Sequence, residues 1–103
     1  MTKGYWVASV DVTDPEGYAA YIAANAAAFA RYGARFLVRG GARVTPEGQF
    51  GARVVVIEFP SYQAALDCYH SAEYSAAMAL RAGKSVMDLA ILDGYDGAQP
   101  HPG

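Results

Sequence analysis

Arg39, Glu58, Tyr69, Ser71, Tyr74 and Arg81 are the side chains of this sequence whose types and spacing could do chemistry on a small molecule. Arg39 closes an apolar run against Gly40-Gly41, where missing side chains let a ligand come close. A guanidinium there can grip a carboxylate through two parallel hydrogen bonds. The alternative is an ion pair with Glu58 or Asp88 that fixes strand or dimer register. Glu58 ends the most apolar stretch of the chain, and a carboxylate partly withdrawn from water could serve as a general base. The cost of burying an unpaired charge favours a salt bridge instead, and Asp88, among Val86, Ala90 and Leu92, is open to the same two roles.

Tyr69, Ser71, Tyr74 and Arg81 cluster where one helical region breaks and another starts. Free N–H groups at the new helix start, with Ser71 as cap, can receive an anion that two phenols and Arg81 would wall. Against this, the two tyrosines fall on core-facing positions, and a capping serine needs no ligand. His70 is the only histidine outside the tail and is expected at the surface. Cys68 has no helix N-terminus or adjacent cation to activate it and reads as a buried, inert thiol. The stripe of Tyr18, Tyr21 and Tyr32 is core packing with hydroxyls at the rim, or the lining of a cleft between helices and sheet.

The elements that must position these groups are set by periodicity. Residues 5–12 (YWVASVDV) form a strand. Asp14-Pro15-Glu16 then opens a helix, with Thr13 and Glu16 as a possible capping box one residue earlier. Tyr18, Tyr21, Ile22, Asn25, Phe29 and Tyr32 share its inner face, and Gly33 ends it. Residues 34–39 make a second strand, and residues 42–51 either a hairpin connection or a continuation of it. Residues 53–59 (RVVVIEF) are a third strand and residues 85–92 (SVMDLAIL) a fourth. Ser61 caps a short helix carrying Ala65, Leu66 and Tyr69 inward, and Ser71 caps a second one carrying Tyr74, Ala77, Met78 and Arg81.

The order β-α-β-β-α-β is the ferredoxin-like split βαβ pattern: an α+β fold with a four-stranded antiparallel sheet and its helices on one face. The third strand opposes Val54, Val56 and Glu58 to Val55, Ile57 and Phe59, and the fourth is likewise apolar on both sides. Such a sheet needs two covers. Helices supply one, and an identical sheet from a second chain is the simplest source of the other.

With 103 residues, 53% hydrophobic and 17% charged, the chain is expected to form one domain over residues 1–95 with a flexible tail at 96–103. Eight Lys and Arg, thinly spread in a chain of net charge -2, offer no basic stripe for nucleic acid. Neither a signal peptide nor a membrane span is legible. One cysteine fits a reducing cytoplasm, no metal-ligand spacing appears, and no phosphate-binding glycine loop or Ser/His/Asp order is present.

The passages KGYWVASVDVTDPEGY, RFLVRGG, VVVIEFPS and CYHSAEYSAAMALR resemble, in order and spacing, the domain of unknown function 1330 family. The resemblance spans Lys3 to about Gly94. It implies similarity to the dimeric α/β barrel proteins, among which are cofactor-free monooxygenases, muconolactone-type isomerases, haem proteins and ligand binders without catalysis; it names no reaction. Where that family commonly carries an aromatic, an asparagine and a proline, this chain has Cys68, His70 and Ala72. The expectation is a cytoplasmic homodimer that binds a small organic molecule, an anion among the candidates, between helices and sheet. No tightly bound cofactor is expected, and cofactor-free oxygenase or isomerase chemistry is compatible. The alternative is a non-catalytic dimeric interaction module.

Overall fold

The computed structural model of the chain describes residues 2–101. Its elements are β1 (Gly4–Val12), α1 (Pro15–Arg31), β2 (Arg35–Arg39), β3 (Arg53–Phe59), α2 (Tyr62–His70), α3 (Ala72–Leu80) and β4 (Ser85–Asp93). The strands form one antiparallel sheet in the order β2-β3-β1-β4, the ferredoxin-like arrangement.

Local chemistry sets the helix boundaries. The Asp14 carboxylate accepts the Gly17 N–H at 3.1 Å, with Pro15 just inside the helix, so α1 starts at the aspartate and leaves the Thr13–Glu16 box unused. Ser61 and Ser71 accept from Ala64 and Tyr74 N–H at 3.0 and 3.1 Å. Ser71 has extended backbone (φ -70, ψ 156) and ends α2 while starting α3, which divides the second helical region in two. Residues 42–51 are a loop and not a continuation of β2. Residues 96–101 carry no helix or strand; Met1 and residues 102–103 of the expected spans lie outside the described part.

On β1, Trp6, Ala8 and Val10 turn toward the helices and pair with Ile57, Val55 and Arg53 of β3 and with Ile91, Leu89 and Met87 of β4. The other parity carries Tyr5, Val7 and Ser9, opposite Glu58, Val56 and Val54 and opposite Leu92, Ala90 and Asp88. Val86 and Leu92 on that side are exposed. The sheet therefore has a covered face and an open one, and both are largely apolar.

Trp6 is the centre of the covered face. Its indole N–H donates to the Ala65 carbonyl at 2.9 Å, tying β1 to α2. Around it lie Tyr74, Phe59, Phe29 and Tyr69, with ring centroids 4.9, 5.2, 5.3 and 5.9 Å away. Two residues along, a Cβ on Gly4 would run into the Ser61 carbonyl, so glycine lets the start of α2 seat directly on β1.

Truncating a buried aromatic removes its transfer free energy and leaves a cavity, about 3–5 kcal/mol. Trp6→Ala should therefore lose a large part of the roughly 5–15 kcal/mol typical of a domain. Urea unfolding followed by far-UV circular dichroism checks it; a change below about 1 kcal/mol would mean the aromatic cluster reorganises around the gap.

Candidate functional site

On the covered face, the residues that could act on a ligand gather between α1, α3 and the sheet. Tyr18, Tyr21 and Asn25 project from α1 at helical spacing, all buried. The Tyr21 and Tyr74 hydroxyls share a hydrogen bond of 2.7 Å, joining α1 to α3, and either oxygen can be its donor. Arg81, at the end of α3, lies over the Tyr21 ring at 5.4 Å from its centroid. Arg53 enters from the start of β3, and the Arg39 guanidinium carbon lies over Phe36 at 4.0 Å from the ring centroid.

A narrow cavity of about 40 Å³, partly open to solvent, runs between Trp6, Tyr18, Tyr21, Asn25, Arg39 and Arg53. That is room for a few water molecules, since one needs roughly 10–15 Å³. Beyond it, across Met87 and Leu89, opens a groove of about 530 Å³ bounded by Tyr69, His70, Met78, Arg81 and Ile91. Among the described residues, no carboxylate lines either space. The ion pairs among the described residues are Arg31–Glu73 and Lys84–Asp14, so none of the three arginines is neutralised by one. The Arg81 Nε is buried without a hydrogen-bond partner.

Burial sets the protonation of the phenols. It pushes Tyr21 well above the ordinary value of 10.0, with the neighbouring Tyr74 adding to the rise and Arg81 opposing it. Burial likewise raises Tyr74 and Tyr18. Near neutrality these are therefore protonated hydroxyls, able to donate hydrogen bonds and unable to serve as bases. Burial, and then the charge of Glu73, pushes the Cys68 thiol up to about 12, away from the thiolate needed for nucleophilic chemistry.

The six residues singled out from the sequence do not form one site. Tyr69, Tyr74 and Arg81 do meet on the covered face. Ser71 accepts the Tyr74 N–H and donates to the Cys68 carbonyl at 2.7 Å, so its hydroxyl is spent on the α2–α3 junction. Glu58 pairs with Tyr5 and Arg35 on the open face, and the thickness of the sheet separates it from the cleft.

Arg39 reaches the cleft because β2 contains a bulge. Pairing runs Phe36↔Ile57, Val38↔Val56 and Arg39↔Val55, with the register shift between Phe36 and Val38. The extra residue, Leu37, reverses the facing of Val38 and Arg39. Simple alternation from Phe36 would have put Arg39 on the open face; the bulge puts it on the covered one, away from Glu58 and Asp88. The expected ion pairs to those carboxylates are therefore not made.

Asn25, Arg53 and His70 belong to the lining but were not singled out as ligand-binding candidates. Asn25 had a legible signal, a polar residue four positions after Tyr21 on an otherwise apolar helix face. Arg53 shares parity with Val55 and Ile57, also legible. His70 is exposed yet borders the groove, its ring 5.3 Å from that of Tyr69.

The tyrosines give a pH signature. In the unfolded chain they ionise near 10.0, while burial keeps Tyr18, Tyr21 and Tyr74 protonated in the native one. The stability they contribute is complete below that value and is lost as pH climbs past it. Ultraviolet titration should find these three of the eight tyrosines ionising late, together with loss of circular dichroism; all eight titrating alike in an intact fold would contradict the packing. A thiol reagent should reach Cys68, fully buried, only on unfolding; prompt stoichiometric labelling of native protein would show that α2 opens readily.

A family model described as "Domain of unknown function (DUF1330)" matches residues 3–95. A search of curated proteins found no match. Among solved structures, a protein of unknown function from Rhodopseudomonas palustris superposes with a TM-score of 0.72 at 20% identity, over 93% of this chain and 85% of that one. SnoaB, a cofactor-independent oxygenase from Streptomyces nogalater, gives 0.64 at 15% identity over 100% of both chains. A dimeric protein of unknown function and ferredoxin-like fold from Bacteroides fragilis gives 0.51 at 12% identity, over 88% of this chain and 95% of that one. At these identities the likeness is one of fold.

Proposed function

Since the chain belongs to the DUF1330 family, whose description assigns no reaction, we propose from the cleft's own chemistry that it is a homodimer binding a small, planar organic anion on the covered face. The observation that carries this is Arg39, Arg53 and Arg81 around an aromatic cleft that no carboxylate lines. In a chain of net charge -2 such a concentration of cations is local, and its field favours anions.

In this reading the body of the ligand lies in the open groove, whose volume is of ligand size. Its charged end reaches Arg81, the cation that lines this groove, with the Tyr69 hydroxyl beside it. The same donors would stabilise an enolate or phenolate more than its neutral parent, the demand made by isomerisation or by oxygenation without a cofactor. The cofactor-independent oxygenase SnoaB fits that class of chemistry and supports it by fold alone. Cytoplasmic residence belongs to the same reading and rests on the single buried cysteine.

The homodimer is supported by the open apolar face and by the dimeric neighbour of the same fold. The small size of the inner cavity favours a second reading, a non-catalytic dimeric module whose arginines only position side chains.

Trp6 fluorescence separates the two. Titration with 4-hydroxybenzoate as a probe anion should quench it saturably. Arg81→Met should weaken binding at least about tenfold, since a charged hydrogen bond contributes roughly 1.5–3 kcal/mol. Glu58→Gln, on the other side of the sheet, should leave it unchanged. No saturable signal, or an Arg81→Met protein that binds like the parent, would remove the anion-site reading in favour of the module.

A further inference from the structure

Residues 40–52, between β2 and β3, form an arm with a fixed base and a bare tip. At the base, Gly40 N–H donates to the Val54 carbonyl at 3.0 Å and Ala52 N–H to the Asp11 carboxylate at 2.8 Å. Gly51 N–H bonds the Ser9 hydroxyl, and Arg43 bonds the Gly51 carbonyl. Gly51 approaches β1 so closely that a Cβ would meet the Ser9 oxygen and the Val10 backbone. The arm is therefore shaped before any partner arrives. Its apolar side chains nonetheless face water: Val44 is 86% exposed and Phe50 58%.

Beneath them is a hollow of about 270 Å³ lined by Val38, Val44, Pro46, Phe50 and Val54. Val38 and Val54 also belong to the open face of the sheet, so hollow and face are one continuous surface.

Area indicates what covers that surface. The chain exposes 6573 Å² at 10.9 kDa, whereas a monomer of that mass exposes about 5,600 Å². The arm, the tail and the open face share a surplus of about 1,000 Å², near the ~800 Å² that each partner buries in a standard interface. The radius of gyration, 14.9 Å, likewise exceeds the roughly 13 Å of a compact chain this long. The surplus is as large as one partner's share of such an interface, and the arm is the exposed apolar surface that adjoins the open face of the sheet.

We propose that the arm is a clasp. In a dimer formed through the open faces, residues 40–52 of each copy close over the other, and the hollow receives apolar side chains from the other copy's open face. Two-fold symmetry makes the two clasps equivalent. This rests on the homodimer reading above and goes beyond it by assigning the arm a share of the dimer's stability.

Native mass spectrometry and sedimentation of the full chain test it, comparing wild type with Val44→Asp/Phe50→Asp and, separately, with Val86→Asp on the sheet. All three positions are exposed, so each variant should keep its circular dichroism. Support would be a wild-type dimer, with the arm variant at least tenfold weaker in self-association. A dimer that Val86→Asp breaks and the arm variant leaves as tight as wild type would overturn the clasp and keep the homodimer. A monomeric wild type would overturn both. A wild-type monomer with an adduct that the arm variant lacks would assign the hollow to a small molecule instead, and likewise overturn the clasp.

Discussion

The indole of Trp6 is where β1, α1, α2 and α3 meet. Its N–H holds the Ala65 carbonyl, and its faces and edges touch Phe29 of α1, Tyr69 of α2, Tyr74 of α3 and Phe59 of β3. A side chain that is both large and polar at one end can do this only if its donor is satisfied, and here a helix carbonyl satisfies it. The cleft is a by-product of the same packing. Tyr74 lies against the indole and shares a hydroxyl hydrogen bond with Tyr21, which spaces α1 and α3 and leaves Arg81 above them. Structure and candidate chemistry thus share one set of aromatic contacts.

Most of the scaffold was legible because it depends on local rules. Strand parity in residues 53–59 and 85–92 comes from alternation, and each helix start from a capping side chain whose partner lies three residues on. The same parity, extended, would have separated Glu58 from the cleft, since Ile57 and Phe59 face the helices and Glu58 lies between them. What alternation does not contain is Leu37. A single extra residue in β2 reverses the facing of Arg39, and nothing in ARFLVRGG marks where it falls, because Phe36 and Val38 set against Arg35, Leu37 and Arg39 read as an unbroken two-sided strand. Ser71 illustrates a different limit: a serine at a helix start looks the same in sequence whether its hydroxyl is free for a ligand or already committed in both directions, as it is here.

Electrostatics and packing pull against each other in the cleft. Cations beside aromatic rings gain from the ring faces, as Arg39 over Phe36 and Arg81 over Tyr21 do, but three of them without a carboxylate repel one another. A purely structural arrangement would relieve that repulsion with an acidic neighbour, and acidic residues are present on the other side of the sheet. The chain keeps Asp11, Glu58 and Asp88 there. Arg39, Arg53 and Arg81 thus lie on one side of the sheet, and Asp11, Glu58 and Asp88, with Arg35, on the other.

The Tyr21–Tyr74 hydroxyl pair carries one further consequence. Because either oxygen can be the donor, the bond has two directions that differ only in where two hydrogens point. Reversing it leaves every heavy atom in place and exchanges which phenol has its proton free and which has only lone pairs. The bond that joins α1 to α3 can thus turn over its protons without any shift of the helices, a rearrangement confined to two hydroxyl rotors.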